Sequence, residues 1–260
     1  MKFQYCLPCM AAVMFVTGGM IAGGAEGQRV LEWVQESSLD APEARQAVAA
    51  DGAYVYAIDN RVIAKYDRAT GHRLVVSSGA AHHLNSGFIL EGKLYAAHSN
   101  YPAKPEKSEI KVLDLQTMQL SDFKSFGESP HGSLTVVLFH DSAWWCVFAR
   151  YGKDNKGTVL VKFDSDWKEQ GVWTFPESVI SDLGQASISG AIWREGELLA
   201  TGHDKRVLYR LTIPQTGQTL VHEATVKTPF PGQGIAADPR TGGLVGIHRK
   251  RHRIIFAQPK

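Results

Sequence analysis

Short apolar stretches recur along this chain, each bounded by polar turn residues. Val55-Tyr56-Ala57-Ile58, Leu94-Tyr95-Ala96-Ala97, Trp144-Trp145-Cys146-Val147, Leu198-Leu199-Ala200-Thr201 and Leu244-Val245-Gly246-Ile247 begin 39, 50, 54 and 46 positions apart. Runs this short, rich in β-branched and aromatic residues, read as strands. Each follows a turn suited to a tight hairpin: Asp51-Gly52, Glu91-Gly92, His140-Asp141, Glu195-Gly196 and Thr241-Gly242-Gly243. A third strand with partial alternation comes next, at 61–66, 109–113, 158–163, 206–211 and 253–256. Fourth strands are predicted at 73–76, 119–126, 170–175 and 219–226, three of them after turns opened by Asp67, Asp114 and Asp164.

Periods of this length match a four-stranded propeller blade. The fifth unit ends soon after Phe256 and lacks its outer strand, which would leave an unpaired edge. The segment Arg29 to Val34 precedes the first unit and belongs to none, so it can fill that place. The predicted fold is therefore all-β: a five-bladed β-propeller closed by an N-terminal strand, one domain over 26–260. A single β-sandwich is the alternative, but it does not account for the recurring unit.

Composition changes this picture mainly at the N-terminus. The chain has 260 residues, 44% hydrophobic and 21% charged, as expected of a globular protein. Lys2 is followed by an apolar run from Met10 to Ala25, with Gly23 and Ala25 at the −3 and −1 positions of a cleavage site before Glu26. This predicts a signal peptide over 1–25, export to the periplasm or the exterior, and no membrane span after cleavage. Cleavage removes Cys6 and Cys9 and leaves Cys146 alone in an apolar strand, so no intrachain disulfide can form. A net charge of +2 gives no overall preference for polyanions. Together with the lack of a nucleic-acid motif, it argues against a nucleic-acid partner. The mature protein is expected to be a monomer.

Candidate chemistry follows from sorting residues by loop. In a propeller the loop entering the first strand of a blade and the loop leaving the second lie at the same end. Six of the ten histidines, His82, His83, His98, His131, His203 and His248, fall in such segments. His83, His131, His203 and His248 are the acid/base candidates, since imidazole titrates near neutral pH. Asn85, Ser86, His98, Asn100, Ser133, Ser189 and Gln233 are candidate ligand contacts from the same segments. Asp204 is placed to orient a histidine. Arg150 and Arg249 would hold an anion, and protonation of neighbouring histidines through about pH 6.5 would add to that attraction.

This inventory predicts a small anionic or sugar-like ligand, acted on by an enzyme of lyase or hydrolase type. No GxSxG nucleophile motif is present. A binding propeller for glycans or a protein partner is the second reading, and fold alone does not separate the two. A divalent metal on two or three imidazoles is a further alternative, although no HExxH-type spacing occurs.

Several stretches, HLNSG at 83–87, AHSNYP at 97–102, HGSLT at 131–135, SGAIW at 189–193, TGHD at 201–204 and GQGIAAD at 232–238, together resemble exported bacterial β-propeller proteins of unsettled activity. GQGIA alone also resembles a strand entry of propeller glutaminyl cyclotransferases and lactonase-like propellers. These resemblances imply the fold and export; the rest of a cyclotransferase's glutamine-binding pattern is not placed on this chain.

Overall fold

The structure is a computed structural model and describes residues 32–260. The expected signal peptide and the first three residues of the expected closing strand lie outside the described residues. Strand β1 is Trp33–Asp40. The first sheet holds β2 (Ala47–Ala50), β3 (Tyr54–Ile58), β4 (Ile63–Asp67) and β5 (Arg73–Val76). The second holds β6 (His83–Leu90), β7 (Lys93–Ser99), β8 (Ser108–Asp114) and β9 (Leu120–Gly127). The third holds β10 (Ser133–His140), β11 (Ala143–Ala149), β12 (Val159–Phe163) and β13 (Glu169–Thr174). After helix α1 (Glu177–Leu183) the fourth holds β14 (Gly190–Arg194), β15 (Glu197–Thr201), β16 (Val207–Thr212) and β17 (Val221–Lys227). The fifth has the order β1-β20-β19-β18, with β18 at Ala236–Ala237, β19 at Leu244–His248 and β20 at Arg253–Pro259.

Each sheet is antiparallel and is one blade of a five-bladed propeller. The last blade takes its outer strand from the N-terminus: Trp33 pairs with Pro259 and Asp40 with Arg253. The ring therefore closes as the sequence predicts, with the closing strand running farther along the chain than Val34.

Local chemistry shapes each blade. Glu91 and Gly92, Asp141 and Ser142, and Glu195 and Gly196 all have positive φ, the backbone of a hairpin turn whose twist suits its strands. Asp67 Oδ1 accepts the N–H groups of Ala69 and Thr70 and the Thr70 hydroxyl, and Asp114 repeats the pattern with Gln116 and Thr117. These bonds tie off the turn between third and fourth strands and hold both carboxyls below their usual range. Apolar faces of neighbouring blades then pack together; one such cluster sets Trp145, Val147 and Leu160 against Leu198, Ala200 and Tyr209. Cys146 is fully buried, and that burial pushes its thiol upward, away from reactivity.

Around the axis the blades are joined by a complete circuit of hydrogen bonds. Leu84 N–H donates to the Asn60 carbonyl, linking the first blade to the second. Asn85 Nδ2 and Ser86 Oγ donate to the carbonyls of Leu134 and Thr135 in the third. Thr135 Oγ1 donates to the Ile188 carbonyl, Thr201 Oγ1 to the Gln233 carbonyl, and Gly234 N–H to the Gln46 carbonyl. Crowding there explains Gly234, where a Cβ would lie 2.3 Å from the Cβ of Ala47.

Candidate functional site

One end of the channel opens into a cleft of about 520 Å³, lined by His83, Asn85, Ser189, His203, Asp204, Gln233 and Arg249, among others. All seven are residues the sequence nominates. The fold brings them together because inner strands β6 and β14 start at this end, while β15 and β19 finish there and run on into His203, Asp204 and Arg249.

His203 is the centre of the polar wall. Its Nδ1 lies 2.7 Å from Asp204 Oδ2 and its Nε2 lies 2.9 Å from Arg249 Nη1. A guanidinium only donates, so Nε2 accepts and the proton sits on Nδ1, facing the carboxylate. The ring is thereby held in one orientation between the two side chains. The hydrogen bond from His203, with the positive charges of Lys250 and Arg249 behind it, keeps the Asp204 carboxyl below its ordinary range. The Gln233 side chain fixes the backbone by donating from Nε2 to the His203 carbonyl at 2.8 Å. Gln233 itself has φ +66°, a left-handed conformation at the entry to the fifth blade.

His83 is half-buried, its ring centroid 5.2 Å from that of Tyr101. Burial, and secondarily the charge of Arg249, lowers its pKa. It is neutral at physiological pH, so the expected gain in anion attraction through pH 6.5 is displaced to more acidic conditions.

Other nominated residues are placed elsewhere. His131 turns from the cleft, its Nε2 2.9 Å from Glu169 Oε1 on the outer strand β13. His98 is buried; its Nε2 accepts the His82 N–H, and its Nδ1 lies 2.9 Å from Glu109 Oε1 but out of line for a hydrogen bond. His248 does not line the cleft, and its Nδ1 is buried without a hydrogen-bond partner. Ser86 is a link in the axial circuit, and Ser133 is buried with its hydroxyl unpaired. Arg150 donates to the Pro130 carbonyl, and Asn100 braces its own loop by bonding Pro105 and Lys107. Of the two nominated arginines, only Arg249 lines the cleft. These residues share one end of the channel by loop order, but local hydrogen bonds decide which way each side chain turns.

The cleft also has walls that loop sorting missed. Tyr101 and Tyr151 line it with ring centroids 6.1 Å apart, and burial pushes the Tyr151 hydroxyl up to about 12. Gln46 contributes from the segment before β2, and Leu183 from the end of α1. The tyrosines sit in irregular loops and carry no periodic signal. Helix α1 has seven residues, and Pro176 at its N-cap gives no side-chain cap bond.

Among the described residues, no group of three or more His, Cys, Asp or Glu side chains is arranged to hold a metal ion. No helix of the described residues is long and apolar enough to cross a membrane.

No protein-family model matches the sequence, and no curated protein does. Solved structures do match. Glutaminyl cyclase of Myxococcus xanthus aligns with a TM-score of 0.61 at 10% identity, covering 87% of this chain and 95% of that one. A glucose dehydrogenase-type oxidoreductase of Thermus thermophilus aligns at 0.52 and 9% identity, covering 88% and 100%. What this chain shares with them is the propeller fold. At such identities the likeness extends no further, and the two neighbours differ in chemistry from each other.

Proposed function

We propose that the protein is an exported enzyme of hydrolase or lyase type acting on a small, carboxylate-bearing, sugar-like ligand. The observation that carries this reading is the row Asp204–His203–Arg249 on the cleft wall. A carboxylate that fixes the tautomer of an imidazole on a cleft wall is the arrangement of an oriented general base. Arg249 supplies a cation for the ligand's acid group. His83 offers a second imidazole, and Asn85, Ser189 and Gln233 offer groups that can position hydroxyls. The proton taken by His203 comes from water in a hydrolysis, or from a carbon beside the carboxylate in an elimination.

Tyr101 and Tyr151 support a second reading, binding without turnover, because paired aromatic walls suit the apolar face of a sugar and need no base. One experiment separates the two. Purified protein is incubated with a panel of uronic and aldonic acids and their neutral sugars; binding is followed by calorimetry and turnover by NMR. Turnover of an acid that His203→Asn abolishes, with affinity changed little, supports the enzyme. Tight binding with no turnover favours the binder, and indifference to acids and neutral sugars alike removes both. N-terminal sequencing of the mature protein tests export, with Glu26 expected as first residue.

A further inference from the structure

A general base needs an open lone pair, and in this arrangement His203 has none. Nδ1 carries the proton and faces Asp204, while Nε2 accepts from Arg249 at 2.9 Å. We infer that Arg249 is a specificity-determining mask on His203, closing the Nε2 lone pair until an anionic group in the cleft draws the guanidinium away. This rests on the reading of His203 as the base.

The contact joins a cation to a neutral acceptor, whereas a carboxylate offers the same N–H groups a charge-assisted hydrogen bond of about twice the strength. Arg249 has no carboxylate within salt-bridge distance among the described residues. The cation is thus unneutralised at close range and half-buried. It begins the short 3-10 turn Arg249–Arg251, which makes no side-chain cap bond. Its guanidinium can therefore exchange partners without dismantling a strand. The cleft, at about 520 Å³, has room for a small ligand beside the displaced side chain. A neutral analogue could fill the same space, yet it would leave Nε2 closed. Discrimination for the anion then falls on kcat as well as on KM.

The test reads the lone pair directly. Diethyl pyrocarbonate acylates the unprotonated nitrogen of a neutral imidazole, and peptide mass spectrometry follows each histidine separately. Exposed His72 serves as the reference. In the wild-type protein His203 should react at least about tenfold more slowly than His72, and Arg249→Met should remove that protection. Arg249→Lys should restore part of it, because an ammonium can also donate to Nε2. Acetate should accelerate wild-type modification of His203, and acetamide, its neutral isostere, should not. Thermal melting of each variant checks that reactivity is read on folded protein. His203 reacting as fast as His72 in the wild type, no acceleration in Arg249→Met, or equal effects of acetate and acetamide would each overturn the mask. No turnover is measured here. A masked His203 in a protein that converts no acid sinks the base reading alone, and an open His203 with turnover sinks the mask alone.

Discussion

Arg249 Nη1 lies 2.9 Å from Nε2 of His203, a nitrogen that carries no proton. The pair couples the one nominated arginine that lines the cleft to the histidine proposed as the base, so substitution at position 249 should be felt in both binding and chemistry.

Arg249→Ala is expected to weaken binding of a carboxylate ligand by about 1–3 kcal/mol, the worth of a charge-assisted hydrogen bond. Arg150→Ala should change affinity little, because the Arg150 guanidinium already serves the Pro130 carbonyl. Calorimetry on the two variants makes the comparison. Equal losses would mean that Arg150 reaches the ligand after all.

The propeller was readable from the sequence because its repeating signal is physical: apolar inner strands, tight turns and aspartate-led outer turns recur along the chain. Strand β5 falls on the residues predicted for it, and β1 fills the outer place that the fifth unit leaves open along β20. The cleft was readable only in part. Loop order assigns a residue to one end of the channel, which is why His83, His203 and Arg249 meet. It does not assign the direction of a side chain, and His131 turns to Glu169 while His98 packs inward. Tyr101 lies inside the stretch AHSNYP, yet nothing in the residue pattern shows that its loop lines the cleft.

Ring closure has a second fastening beyond β1. Arg68 of the first blade and Asp238 of the fifth form a bidentate ion pair with side chains 8% and 1% exposed, and Arg68 also lies over the Phe256 ring. Removing one member strands a buried charge. Arg68→Ala should therefore cost about 3–5 kcal/mol of stability, and a double replacement of both residues by apolar groups of similar volume should cost less than either single change. Denaturant unfolding measures all three. Additive losses would show that the two charges do not depend on each other.

Deleting residues 26–40 should be severe for a different reason. It removes β1 and leaves the backbone of β20 unpaired along its outer edge. The truncated protein is expected to melt far below the full chain or to aggregate. An unchanged melting temperature would contradict the pairing of Trp33 with Pro259.

Acid should destabilise the protein before its carboxylates titrate. Burial lowers the pKa of His98, with Glu109 partly opposing the shift and Lys111 adding to it; burial also lowers His83 and His248, with help from nearby arginines. In the unfolded chain these groups return to about 6.5. As pH falls through that value the unfolded chain takes up protons that the folded protein refuses, so the unfolded state is favoured. The stability these neutral rings confer is present above the unfolded value and is lost as pH falls below it. For a single fully buried histidine the slope reaches at most about 1.4 kcal/mol per pH unit. The effect should be clearest for His98, which is 3% exposed. His98→Gln retains an acceptor that can serve the His82 N–H, and it should flatten the dependence between about pH 7 and pH 5. Melting temperatures at three pH values in that window, for wild type and variant, provide the measurement. A wild-type melting temperature that stays level from pH 7 to pH 5, or a variant that falls as steeply as the wild type, would remove His98 as the source.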